Sequence, residues 1–360
     1  MPLNIAMISQ YLPSESKIGS GYQAHYMANA MRRRGHQVTM FSLCGPSEGA
    51  LYETSVVPTN RPRTFRFAWN LRKLDLSRFD ILHAHGDDYW LWSAGKPGHV
   101  RTMHGSCLAE AIYVPGLINK FRMLLLGLSE VLATVVADHT ACVSKNTTAY
   151  YPWVKDVVVN GVDLAAFHPS AEQETDPTIL FVGTYGNRKR GHLLAEAFTR
   201  IIRPALPTAR LWMVCGDAPA AAGIDVLGHV PLEQLTTLYR RAWVFCLPSS
   251  YEGFGVPYVE AMASGTPVVA TPNVGAKEVL ANGKYGVLVG PRDLGPAIWA
   301  CSAIRASGNV SAQPGWNGRS CTPGTGSSSA TSRSTAKSWR AAERARGDAQ
   351  GYFRLPPLWG

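Results

Sequence analysis

Two carboxylates eight positions apart, Glu252 and Glu260, bracket a Gly253-Phe254-Gly255 turn and Pro257. Residues 249–270 around them read SSYEGFGVPYVEAMASGTPVVA. Upstream, WVFCL (residues 243–247) is short, apolar and aromatic, which predicts a buried strand. Pro257 suits the first turn of a helix, where its missing N–H costs nothing. Val259, Met262 and Ala263 continue with helical spacing, and Gly265 followed by Pro267 stops it. A second buried strand is expected over 267–270. A helix that starts at a glycine turn aims unpaired N–H groups and its positive dipole end at whatever lies above it, which suits a phosphate. Glu252 can accept hydrogen bonds from a polyol beside that phosphate. Glu260, over a turn deeper, can accept them from a ribose.

Further groups able to do chemistry stand at other strand ends. TILFV (residues 178–182) is followed by GTYGNRKRG and a helix expected from about His192 to Ile202. Arg188, Lys189 and Arg190 at this turn can hold a pyrophosphate, Arg by a bidentate fork and Lys as a point charge. A strand over Val100–His104 places His104 at its C-terminal end, pointing into the crevice where ligands of open α/β sheets bind. FDILHA (residues 79–84) is another strand, with His83, His85, Asp87 and Asp88 at its end. A metal reading of those four is set aside, because no further ligand cluster completes the set. A strand at Leu3–Ser9, Gly19-Ser20-Gly21, a helix from Tyr22 to about Arg34 ended by Gly35, and a strand at Val38–Leu43 open a doubly wound domain. Gly19 to Ala24 formally matches the dinucleotide pattern G-x-G-x-x-A. The glycines come about ten residues after the strand rather than in its tight turn, and the second strand lacks a terminal acid, so a nicotinamide enzyme is rejected.

The 249–270 stretch closely resembles the E-x7-E signature of retaining family-4 glycosyltransferases, enzymes of the GT-B fold. The resemblance implies that Glu252 contacts the donor sugar, that Glu260 contacts the nucleotide ribose, and that the Gly253-Phe254-Gly255 backbone lies against sugar and phosphates. It extends to Thr102-Met103-His104-Gly105, whose histidine would contact the donor sugar near the reacting centre. It implies a glycine loop at Gly19–Gly21 that approaches the donor phosphates. The family has an arginine soon after the glycine that corresponds to Gly183, where this chain has Thr184. Arg188 and Lys189 align best with the paired cations, yet Lys189 and Arg190 stay interchangeable. Leu227-Gly228-His229-Val230 resembles the segment that seats the base through backbone groups, which leaves UDP, GDP, ADP and dTDP unseparated. Asn160-Gly161-Val162-Asp163 with Phe167 resembles the crossover between domains. The expected architecture is therefore two Rossmann-like α/β domains facing across a cleft, with an irregular C-terminal tail. The expected division is 1–165 on the acceptor side, a linker over 166–177, a nucleotide-sugar domain over 178–291, and a low-complexity tail over 292–360.

Composition bounds the alternatives. At 360 residues the chain can hold two domains with proper cores. No apolar run spans a bilayer free of charge, and residues 117–137 carry Lys120, Arg122 and Glu130. The apolar face of that helix (Leu117, Phe121, Leu124, Leu125, Leu128, Leu132, Val135) is expected to pack on the sheet, with peripheral membrane contact as the lesser reading. Seven scattered cysteines without CxxC, and a start without a basic leader, fit reduced thiols in a bacterial cytoplasm, at most at the inner face of the membrane. Of the net charge of +10, the stretch from Arg292 onward holds nine basic and three acidic residues, a net of +6. The basicity belongs mostly to the tail, and nucleic acid is not an expected partner. Between Arg305 and Tyr352 there is no Leu, Ile, Met or Phe, a composition that buries too little to offset ordering entropy and suggests a divergent or frame-shifted end.

The expected activity is metal-independent transfer of a sugar from a nucleotide-sugar co-substrate to an acceptor hydroxyl, with retention and no cofactor. The rival is an impaired homologue that binds nucleotide or sugar because its bracing C-terminal helices are missing. An epimerase or a phosphorylase of the same fold is the remaining alternative.

Overall fold

The computed structural model describes residues 1–14, 19–60, 63–91 and 97–306. The chain divides into two compact units between Asn160 and Gly161, inside the crossover segment read from the sequence.

The N-terminal unit winds seven parallel strands: β1 (Asn4–Ile8), β2 (Gln37–Ser42), β3 (Glu53–Val56), β4 (Ile81–Ala84), β5 (Gly98–Met103), β6 (His139–Cys142) and β7 (Asp156–Val157). Their order is β3-β2-β1-β4-β5-β6-β7, so the winding reverses between β1 and β4. Both faces of β1 are buried because alternate residues serve different cores. Ala6 and Ile8 meet Phe41, Phe67 and Leu82 on one side, while Ile5 and Met7 meet Ala24, Ala28 and Met40 on the other. Helix α1 (Gly19–Arg33) already begins at Gly19, so the expected glycine loop forms its first turn. A Cβ on Gly21 would lie 2.5 Å from the Tyr11 carbonyl oxygen, so this glycine is required by backbone packing.

Helices α2 (Arg63–Leu71), α3 (Cys107–Tyr113), α4 (Leu117–Val136) and α5 (Lys145–Thr148) complete the unit. The expectation that the Leu117–Val135 face packs on the sheet is corrected here. Leu117 (85% exposed), Ile118, Phe121, Leu128 and Val135 all face outward, and the buried stripe is Met123, Leu126, Gly127, Glu130, Ala133 and Thr134. The helix is apolar on more than one side, and two local fits choose the packed one. Gly127 lets it approach Leu108 of α3, where a Cβ would come within 2.4 Å, and Glu130 accepts hydrogen bonds from the Cys107 amide (2.8 Å) and the Tyr151 hydroxyl (2.7 Å). Among the described residues no helix is long and apolar enough to cross a membrane.

The C-terminal unit repeats the winding with β8 (Thr178–Val182), β9 (Arg210–Val214), β10 (Ile224–Val226), β11 (Val244–Leu247), β12 (Val268–Ala270) and β13 (Val287–Leu288). The parallel order is β10-β9-β8-β11-β12-β13. Its helices are α6 (Gly191–Ala197), α7 (Arg203–Ala205), α8 (Leu232–Arg241), α9 (Val256–Ala263), α10 (Val274–Val279) and α11 (Leu294–Ala306), with a π-turn over Phe198–Ile202 joining α6 to α7. Helix α11 lies inside the stretch expected to be low-complexity from 292. Leu294, Ala297 and Ile298 form one buried stripe, and Gly295 lets the helix approach Ile201. These apolar residues precede Arg305, where the apolar content ends; the rest of the expected tail lies outside the described residues.

Candidate active site

The C-terminal unit brings two strand-end loops together: residues 183–190 after β8 and residues 248–255 after β11. Backbone and side chains lace them. The Ser250 amide donates to the Arg188 carbonyl oxygen (2.8 Å), and the Arg188 guanidinium donates to the Tyr251 carbonyl oxygen (3.1 Å). Lys189 then meets Glu252, Nζ to Oε1 at 2.7 Å, and Arg188 Nη1 lies 3.5 Å from Oε2. Ser249 donates its hydroxyl to the same Oε1. Glu252 is buried at 5% exposure. Burial alone would raise its pKa, but Lys189, then Arg188, and the hydrogen bonds outweigh that and hold it below the usual carboxylate range.

Arg190 does something different from its neighbours. Its backbone is left-handed (φ 53°), and its guanidinium donates to the Pro248 carbonyl oxygen (2.7 Å) and to Thr271 Oγ1 (2.9 Å). It ties the loop after β11 to the loop after β12, whereas Arg188 and Lys189 both stand at Glu252. Gly183 packs closely against the Phe181 ring and the Lys189 stem, where a Cβ would come within 3.1 and 3.2 Å.

After Glu252 the chain turns through Gly255, at φ 103°, a conformation that glycine adopts freely. The amides of Gly253, Phe254, Gly255 and Val256 find no protein acceptor among the described residues. They form a row of donors at the start of α9. Glu260, half-buried inside α9, accepts a hydrogen bond from the Tyr239 hydroxyl at 2.9 Å. Burial pushes its pKa up to about 7, against the smaller pulls of Tyr239 and Lys189. His229 is exposed and Val230 half-exposed in the segment between β10 and α8.

Sequence reasoning misses four supporting residues here. Asn273 caps α10 by accepting from the Ala276 amide and donates to the Ser249 carbonyl oxygen (3.1 Å), pinning the loop. Gly275 lets α10 touch that loop, since a Cβ would lie 2.5 Å from the Phe254 carbonyl oxygen and 2.7 Å from that of Glu252. Asp217 accepts from the Tyr185 amide at 3.0 Å and shapes the cationic turn. Tyr239 orients Glu260. The Asn273–Gly275 pair after a buried strand is the available signal; Asp217 and Tyr239 are distant in sequence and leave none.

In the N-terminal unit, His104 follows β5 and is half-buried, its Nε2 2.9 Å from His85 Nδ1. His83 bonds instead to Thr102 Oγ1 (2.9 Å), and Asp88 is paired with His99 and Arg101. Asp87, left-handed at φ 63°, has its pKa raised to about 7 by burial, against the pull of Arg101. Among the described residues nothing lies within 4 Å of where a Cβ on Gly19 would stand.

Residues 19–166 match the profile of glycosyltransferase family 4, and residues 176–307 match that of glycosyl transferases group 1. The D-inositol 3-phosphate glycosyltransferase of Frankia alni is 30% identical, across 73% of this chain and 74% of that protein. The chain belongs to glycosyltransferase family 4. The glycogen synthase of Mycobacterium tuberculosis is 26% identical to this family member, across 81% of the chain and 83% of that protein. With the D-inositol 3-phosphate glycosyltransferase of Corynebacterium urealyticum the identity is 32%, but the match spans only 41% of that protein's length. Among solved structures, the sucrose-phosphate synthase of Thermosynechococcus elongatus superposes with a TM-score of 0.70 at 22% identity, over 89% of this chain and 94% of that one. Anabaena HepE in complex with UDP-glucose gives 0.67 at 16%, over 86% and 92%. These likenesses establish the GT-B fold of this family 4 glycosyltransferase.

Proposed function

We propose that the chain transfers a sugar from a nucleotide-sugar donor to an acceptor hydroxyl with retention at the anomeric carbon. The observation that carries this reading is Glu252: buried, ionised, bonded to Lys189 and Ser249, and followed by four amides without protein acceptors among the described residues. As the bond to the nucleotide breaks, negative charge grows on the departing diphosphate. Lys189, Arg188 and the Gly253–Val256 amides meet that charge, stabilising the transition state more than the ground state. Glu252, held below the usual carboxylate range, is a poor proton acceptor. It therefore orients the sugar, and the departing phosphate oxygen takes the acceptor's proton on the same face.

Glu260 binds the ribose, and His229 and Val230 flank the base through their backbone. Gly183, Gly253, Phe254 and Gly255 permit close approach of sugar and phosphate. Gly19 and Gly21 open the helix of the N-terminal unit whose His104 contacts the sugar. Arg190, occupied by Pro248 and Thr271, positions the loops rather than the phosphates. The positive charge supplied by Lys189 and Arg188 supports a metal-independent reaction. UDP-sugars are the first donors to try, because HepE is described with UDP-glucose, and sugar or polyol hydroxyls are the first acceptors, given the inositol phosphate relatives.

The test is thermal unfolding of the 1–360 chain with each nucleoside diphosphate, followed by transfer assays and NMR of the product's anomeric proton. Ligand at 100 times its Kd adds about 2.7 kcal/mol. An inverted product would overturn retention, and nucleotide binding without transfer would favour the impaired homologue.

A second reading concerns the exposed face of α4. Leu117, Ile118, Phe121 and Leu128 stand outside beside exposed Lys120 and Arg122, and the helix's one acid, Glu130, is buried. This face suits an anionic bilayer surface. Cosedimentation with anionic vesicles, lost in Ile118→Ser/Phe121→Ser, is expected; equal recovery with neutral vesicles would remove the electrostatic part.

A further inference from the structure

We propose that His85 is a positioning residue: its ring fixes His104 in the tautomer that carries its proton on Nδ1, so that His104 offers a substrate oxygen an N–H donor rather than a lone pair. This rests on the reading of His104 as a substrate contact.

The two histidines extend neighbouring strands. His85 follows β4 and is anchored by its amide, which donates to the Ile8 carbonyl oxygen at 2.8 Å. His104 follows β5, which pairs with β4 in parallel register. His85 Nδ1 and His104 Nε2 lie 2.9 Å apart, so one proton sits between two nitrogens. Behind them, the His83 ring stacks on His85 at 4.7 Å and is itself held by Thr102 Oγ1. This leaves the His85 plane little freedom.

The tautomer follows from what lies on the far side of His85. Its Nε2 is buried and finds no hydrogen-bond partner among the described residues. If His104 donated from Nε2, His85 would accept at Nδ1 and carry its own proton on Nε2, a buried N–H without an acceptor. If His85 donates from Nδ1, only a lone pair is left orphaned. Orphaned buried N–H groups are rarer than under-satisfied acceptors. His85 therefore donates, His104 accepts at Nε2, and the His104 proton is placed on Nδ1. His104 makes no other hydrogen bond among the described residues, so that N–H remains available. Burial keeps all three rings from charging: His83 and His104 are pushed down to about 4, and His85 well below its ordinary value, each with a smaller push from neighbouring histidines or Arg101. A neutral His104 with a fixed proton is a directed donor over the whole neutral range.

The proposal is tested on the full chain labelled with 15N-histidine, by long-range 1H–15N correlation at pH 7. Loss of one set of signals in His104→Gln assigns that ring. A pyrrole-type Nδ1 and a pyridine-type Nε2 are expected; the reverse pattern, or averaging between the two, would overturn the proposal. Kinetics supply the second arm. His85→Asn keeps an amide N–H where the Nδ1–H stood, whereas His85→Leu removes the donor. His85→Leu should lower kcat about tenfold with little change in KM, and His85→Asn should recover most of that loss. Equal activity of the two variants would count against positioning through this hydrogen bond. Should no donor support transfer, the transferase reading fails while the 15N pattern still decides the tautomer.

Discussion

Asp88 and Glu252 are both buried carboxylates beyond the ends of parallel strands, and each meets a guanidinium, yet their partners differ in access. Asp88, His99 and Arg101 are each 1% exposed, and Asp88 is paired with both inside the N-terminal unit. Glu252 is nearly as buried, but the side chains of Lys189 and Arg188 are 17% and 39% exposed. The first cluster is closed and holds strand ends together. The second has its cations at the surface, where they can turn to a ligand while the carboxylate stays ordered. Two copies of one winding thus carry the same kind of ion pair, and solvent access to the cation separates them; on the proposed function the open pair is the one that meets a ligand.

Four substitutions test this contrast. Asp88→Ala should have the largest effect, about 3–5 kcal/mol lost in urea unfolding, because Arg101 is left charged and buried. A loss below about 1 kcal/mol would mean that the cluster is not structural. Glu252→Ala should leave stability close to wild type, since Lys189 can rehydrate, and lower the transfer rate by about 10²–10³-fold. A large stability loss instead would make the two clusters alike. Gly275→Ala should cost about 1–3 kcal/mol, because its Cβ meets two carbonyl oxygens of the loop after β11, whereas Gly19→Ala meets nothing among the described residues and should not destabilise. Similar unfolding midpoints for both would show that α10 does not brace the loop.

The smallest effect concerns Glu260. Its pKa is raised from 4.5 to about 7. Between those values the folded chain binds more protons than the unfolded one, so this group's contribution to stability is present below 4.5 and lost as pH rises through about 7. A ribose that prefers the ionised carboxylate should then release a proton on binding at about pH 6.5, a value between those limits. Titration calorimetry in buffers of different ionisation enthalpy checks this, and Glu260→Gln should abolish the release. Unchanged release in the variant would assign the proton to another group, with Asp87 the first to examine.

The strand–turn–helix around Glu252 is legible in the sequence because its signals are local: an apolar strand, two glycines, a proline and two acids within one short stretch. Both windings are legible in outline for the same reason, from apolar runs alternating with glycine stops. The choice between Lys189 and Arg190 is not, because it depends on a left-handed backbone at Arg190 and on acceptors at Pro248 and Thr271, far along the chain. The α4 face misleads because periodicity reports that a helix is apolar and not which neighbour it will meet; Gly127 against Leu108 and Glu130 against Cys107 settle that.

The family resemblance, the two parallel sheets and the placing of the two acids on a strand–turn–helix can all be read from contiguous residues, since each is written in local period or spacing. Which cation serves Glu252, the hold of Asn273 and Gly275 on its loop, and the meeting of His85 with His104 came only from the folded chain. Those contacts join the ends of different strands, and the geometry of parallel sheets brings such ends together without any nearness in sequence.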